Sequence, residues 1–106
     1  MYLYVNVMEG HASISNEILA SYAADAAREV AGVRSLVERP LQRHRGVRVT
    51  AEDDRVRLEL HVEVEWGAPI PQVGAEVQTR VREYLRRMAD LEVDAVEVVV
   101  DEIGEP

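Results

Sequence analysis

The sequence predicts an α+β fold, a two-layer sandwich with two helices on one face of a mainly antiparallel sheet, in the order β-α-β-β-β-α-β. Three observations carry this. Residues 55–66 alternate without a break: Val56, Leu58, Leu60, Val62, Val64 and Trp66 are apolar, and Arg55, Arg57, Glu59, His61, Glu63 and Glu65 between them are charged or polar. Successive strand side chains point to opposite faces, so this is one long strand with a dry face and a wet face. Two further segments repeat apolar residues at helical spacing, and shorter alternating runs surround them.

Taken in order, residues 2–8 place Leu3, Val5 and Val7 on one face, which predicts a strand at a sheet edge, with a brief resumption at 11–14 after Gly10. Ser15 is suited to cap a helix over 16–30, because its hydroxyl oxygen can accept an otherwise unpaired backbone N–H. Ile14 and Leu19 are spaced for a hydrophobic staple across that cap. Leu19, Tyr22, Ala23, Ala26 and Val30 form one stripe, and the alanines allow close approach to a sheet. Gly32 fits the left-handed position past the helix end. A short strand follows over 33–37, ended by Pro40.

Residues 46–50 alternate again, pointing Val47 and Val49 inward. Glu52-Asp53-Asp54 is a turn signal joining this strand to the long one as a hairpin. At roughly 3.3 Å per residue the long strand spans about 40 Å and is the largest contributor to the core. Trp66 closes its apolar face and is read as core; exposed at the strand end, it would instead anchor a partner. Gly67 and Pro69 punctuate, and Pro71 is acceptable at the first position of a second helix over 71–89. Val73, Val77, Val81, Leu85 and Met88 line one side of that helix; Glu76, Arg80, Glu83, Arg86 and Arg87 line the other. Glu76→Arg80 and Glu83→Arg87 are spaced for ion pairs. The last strand is predicted over 93–100.

The chain of 106 residues is read as a single domain spanning 1–106. No apolar run approaches the roughly 20 residues of a membrane span, and no signal-peptide pattern opens the chain, so it is expected to be cytoplasmic without inserting directly into a membrane. It has no cysteine, which excludes disulfides, thiolate metal sites and a cysteine nucleophile. A net charge of −8 argues against general nucleic-acid binding, which needs a basic face.

Few residues carry chemistry. The serines lie outside any nucleophile elbow, and the glycines are dispersed rather than gathered into a phosphate loop. His61 between Glu59 and Glu63 could gather a divalent ion, but a solvated face with cross-strand charge pairs is the stronger reading. No catalytic residue, metal or cofactor is therefore expected. The best polar candidate is the loop carrying Arg39, Arg43, Arg45 and Arg48, a stretch with no acid. It suits an anionic partner, ligand or lipid headgroup, or else pairs with the acidic C-terminal strand of its own or a neighbouring copy.

The ordered series Ile14-Ser15-Asn16-Glu17-Ile18, Glu29-Val30-Ala31-Gly32-Val33, Gly46-Val47, Trp66-Gly67, Ile70, Val77-Gln78, Met88 to Leu91 and Val96-Glu97-Val98 resembles the bacterial alkaline shock protein family, also called the envelope stress response family. The resemblance covers about residues 10–103. The chain departs from the family pattern where Trp66 replaces a tyrosine, Glu97 an asparagine, and Ala89-Asp90 a threonine-glycine. The arginine-rich loop is peculiar to it. The resemblance implies a non-enzymatic, stress-associated cytoplasmic protein, a self-associating adaptor or scaffold. Its expected partners are other copies and another protein, such as an integral membrane anchor that would hold it at the membrane periphery; some members are linked to regulation of lipid synthesis. The family has no established catalytic residues. The alternative reading is a module binding an anionic ligand or RNA through the arginine loop.

Overall fold

The computed structural model describes residues 3–6, 11–38, 46–53 and 55–106, with side chains described from residue 14 onward. Its elements run β1 (Leu3–Asn6), β2 (His11–Ile14), α1 (Asn16–Arg28), β3 (Val33–Leu36), β4 (Val47–Glu52), β5 (Arg55–Val64), α2 (Ile70–Ala89) and β6 (Ala95–Ile103). The predicted two-layer α+β architecture is present, with both helices against one face of the main sheet. One strand is added at the front. The segment after Gly10 is a strand of its own, and it pairs antiparallel with β1 as a separate two-stranded sheet rather than extending the main one.

In the main sheet β5 is central. Its buried positions alternate from Val56 to Val64, and Leu60, Val62 and Val64 are fully enclosed. One edge of β5 is shared end to end by two antiparallel strands: β4 covers Arg55 to Leu60, and β3 covers Val62 to Val64. Between them the His61 main chain bonds to both, accepting from the Val37 N–H at 2.8 Å and donating to the Gly46 carbonyl at 2.9 Å. The chain thus leaves the edge after Val37 and rejoins it at Gly46. Gly46 sits at φ +80°, and a Cβ there would come within 2.5 Å of the Val37 carbonyl oxygen, so the neck requires glycine.

The other edge of β5 is taken by β6, in parallel. Parallel neighbours need a crossover, and α2 supplies it. The start of β6 is fixed by a reciprocal pair: the Val56 N–H donates to Asp94 Oδ2 at 2.7 Å, and the Asp94 N–H donates to the Val56 carbonyl at 2.8 Å. From α2, Gln78 and Arg82 donate to the carbonyls of Val96 and Val93.

Ser15 caps α1 as expected, accepting from the Ile18 N–H, but the helix ends at Arg28. Gly32 is at φ +97°, placed in a tight turn closed by the Val33 N–H on the Val30 carbonyl, not directly past the helix end. Alanines 20, 23, 24, 26 and 27 are buried where α1 meets α2 and the sheet, and Tyr22 meets Tyr84 edge-on at 5.7 Å. On α2, Val73, Val77, Val81 and Leu85 are buried as predicted, whereas Met88, beyond the last buried position, is exposed. Glu76 and Arg80 pair at 2.9 Å; Arg87 instead places its guanidinium over the Tyr84 ring.

Trp66 is a further correction. It is 64% exposed, not core. Strand pairing stops at Val64, and a turn closed by the Ala68 N–H on the Glu65 carbonyl, with Gly67 at φ +80°, carries the indole off the apolar face. Among the described residues no helix is long and apolar enough to cross a membrane.

Candidate functional site

The face of the sheet without helices gathers the polar residues of β5 with those of its neighbours. His61 sits at the middle. Its Nε2 lies 2.8 Å from Glu59 Oε2 and its Nδ1 lies 2.7 Å from Asp101 Oδ2. The side chains of His61 and Asp101 are nearly buried, at 12% and 10% exposure, and Glu59 is more open. Asp101 reaches the ring through a register shift in β6, between the pairings of Val62 with Val100 and of Glu63 with Glu102. An extra residue in one strand re-aims a side chain, and here it directs a carboxylate at the imidazole.

Burial opposes a charge on His61, but the hydrogen bonds and negative charges of Glu59 and Asp101 outweigh it and raise the pKa above 6.5. Only the imidazolium donates from both nitrogens; a neutral ring leaves a lone pair facing a carboxylate. With both nitrogens engaged, the ring has none to offer a substrate proton or a metal.

Glu63, the third member of the sequence-level cluster, lies elsewhere on this face. It accepts from Ser35 Oγ at 3.1 Å and lies 3.8 Å from the Arg34 guanidinium. Of the three residues weighed for a divalent ion only Glu59 and His61 meet, and the ring's other partner is Asp101, a cross-strand pair of the kind the stronger reading expects. Among the described residues no group of three or more His, Asp or Glu side chains is arranged to hold a metal ion.

Of the arginine candidates, Arg39, Arg43 and Arg45 lie outside the described residues. Arg48 is exposed on β4, paired in register with Glu59. With Thr50, Arg57 and Glu97 it lines a shallow hollow of about 190 Å³, and across it Arg57 faces Glu97 at 3.8 Å. That hollow mixes both signs of charge and does not present a basic surface by itself.

Two features escaped sequence reasoning. The Asp101 partnership depends on a parallel register set by α2, which leaves no local signal. The exposure of Trp66 had one: Gly67, Pro69 and Pro71 follow within a few residues and end the strand.

Against known proteins, the chain matches the model of the alkaline shock protein 23 family, described by a cell envelope-related function, over residues 5–104. YqhY of Bacillus subtilis (strain 168) is 30% identical over an alignment of 99 residues that covers 84% of this chain and 73% of that protein. YloU of the same strain is 28% identical over 103 residues, 86% of each chain. Among solved structures, the copper form of the MamM CTD matches with a TM-score of 0.63 at 19% identity, over 85% of this chain and 87% of that one. A zinc form of a MamM CTD variant matches at 0.56 and 17% identity, with the same coverage of 85% and 87%. Likeness at this identity speaks for the fold alone.

Proposed function

The chain belongs to the alkaline shock protein 23 family, whose function is cell envelope-related, and from that premise we propose that it is a non-enzymatic stress-response protein of the cytoplasm, working as a small self-associating adaptor. In this reading it joins further copies of itself and binds another protein, such as one anchored in the membrane. The observation that supports it best is the outer edge of β6. This strand runs nine residues, Ala95–Ile103, and no described strand pairs with its far side. An unpaired edge offers a row of backbone donors and acceptors that another strand can complete.

Sedimentation velocity over a wide concentration range tests self-association. The expected outcome is a sedimentation coefficient that grows with concentration. A monomer throughout, together with no protein retained from host lysate by the tagged chain, would remove this reading.

The alternative is an anion- or RNA-binding module using Arg39, Arg43, Arg45 and Arg48. It draws support from the closed neck at Val37 and Gly46, which fixes both ends of the arginine-bearing segment beside β5. It predicts binding to a labelled RNA that falls steeply with salt and drops when Arg43 and Arg45 become alanine. Binding that ignores salt or that double substitution rules it out.

A further inference from the structure

The end of the domain where β5 stops displays the chain's only tryptophan on a rigid mount. Trp66 stands on a turn held by the 3.0 Å bond from the Ala68 N–H to the Glu65 carbonyl. Pro69 follows at the cap of α2, with Pro71 in its first turn. Backbone fixed in this way has little freedom left to lose on binding. On one side of the indole lies an open hollow of about 550 Å³, with Gly32, Ala68 and Val73 among its lining and, among the described residues, Glu65 and Glu76 its charged ones. On the other side Trp66 lines a second hollow with Arg34, Glu65, Glu105 and Pro106. Among the described residues Glu65 and Glu105 have no ion-pair partner, while Glu76 is held by Arg80. An exposed aromatic beside an apolar hollow and unpaired carboxylates is complementary to a segment both apolar and cationic.

We propose that Trp66 and the hollow beneath Glu65 dock a peptide segment of a protein partner in which apolar side chains are flanked by Lys or Arg. The apolar side chains fill the hollow against Val73 and Ala68. The cationic ones lie over the indole and against Glu65 and Glu105. This inference rests on the adaptor reading above and gives its partner a chemistry. A chain of net charge −8 repels its own copies over long range and attracts a basic segment, which favours a foreign partner over a second copy.

Trp66 is its own reporter. The intact protein is titrated with a short synthetic peptide in which leucine and phenylalanine are flanked by arginines, and separately with the same peptide carrying glutamate for arginine. The expected result is a saturable blue shift of the tryptophan emission with the arginine peptide alone, weakened by salt and a few-fold weaker in E65Q. In W66A, followed by anisotropy of the labelled peptide, affinity falls by about 30-fold, the loss typical of a buried aromatic anchor. The thermal midpoint of W66A stays close to that of the parent chain because the indole lies outside the core. No shift with either peptide, or equal shifts with both, overturns the site. So does a blue shift that follows protein concentration without peptide and disappears in R86E/R87E, which would make a second copy the occupant. The adaptor reading is judged separately: a partner that W66A still retains from lysate overturns this site and leaves the adaptor standing.

Discussion

At His61 the second ring proton lets the imidazole donate to both carboxylates at once, one from each nitrogen, and the sign of its effect on stability follows. A histidine whose pKa rises on folding stabilises the folded chain fully below its unfolded value of 6.5, and loses that contribution as pH climbs through the higher folded value. The thermal midpoint should therefore fall as pH rises above 6.5, relative to H61Q, in which this position no longer titrates. Proton NMR of the imidazole checks the same point directly: the midpoint should lie above 6.5 and move down in D101N. A midpoint at or below 6.5 would mean that burial wins. Gly46 supports a second residue-scale prediction. G46A adds a positive-φ penalty to a clash with the Val37 carbonyl and should cost about 1–3 kcal/mol in chemical denaturation.

Elements were legible where their periodicity is local. The alternation in β5 could be read residue by residue because burial there depends only on the parity of the position, and the stripe on α2 from Val73 to Leu85 could be read likewise. Truncating Leu60, fully enclosed, should cost about 2–5 kcal/mol, whereas M88A should stay within about 0.5 kcal/mol, and urea denaturation separates the two. Periodicity failed where it was carried past the buried part of an element. Trp66 and Met88 keep the apolar pattern, but pairing stops at Val64 and the last buried position of α2 is Leu85. The end of α2 also holds a non-glycine residue in the left-handed region: Asp90 at φ 51° and ψ 42°. D90G relieves that conformation and should stabilise the fold by about 0.5–1 kcal/mol, seen as a higher urea midpoint.

The whole molecule is longer than its chain length requires. Its radius of gyration is 14.2 Å and it measures 54 × 27 × 21 Å, against about 13 Å for a compact domain of this size. Its organisation around β5 could be anticipated from sequence, since no other stretch alternates for so long. The neighbours of β5 could not. Which strand lies beside it, and in which direction, is set by the crossover through α2 and by two strands sharing one edge. The sequence-level reading of the polar face, a solvated face with cross-strand charge pairs, could not say which residues pair: it sets His61 beside Glu59 and Glu63, while the ring meets Glu59 and Asp101, the latter forty residues away.

The shared edge also couples two strands through one residue. Because the Val37 and Gly46 ends are tied to the same residue of β5, the edge runs on as though the intervening segment had been spliced out of it. The two ties, at Val37 and Gly46, are then what keeps β3 and β4 in one line, so a change at either end of the neck is felt along the whole edge.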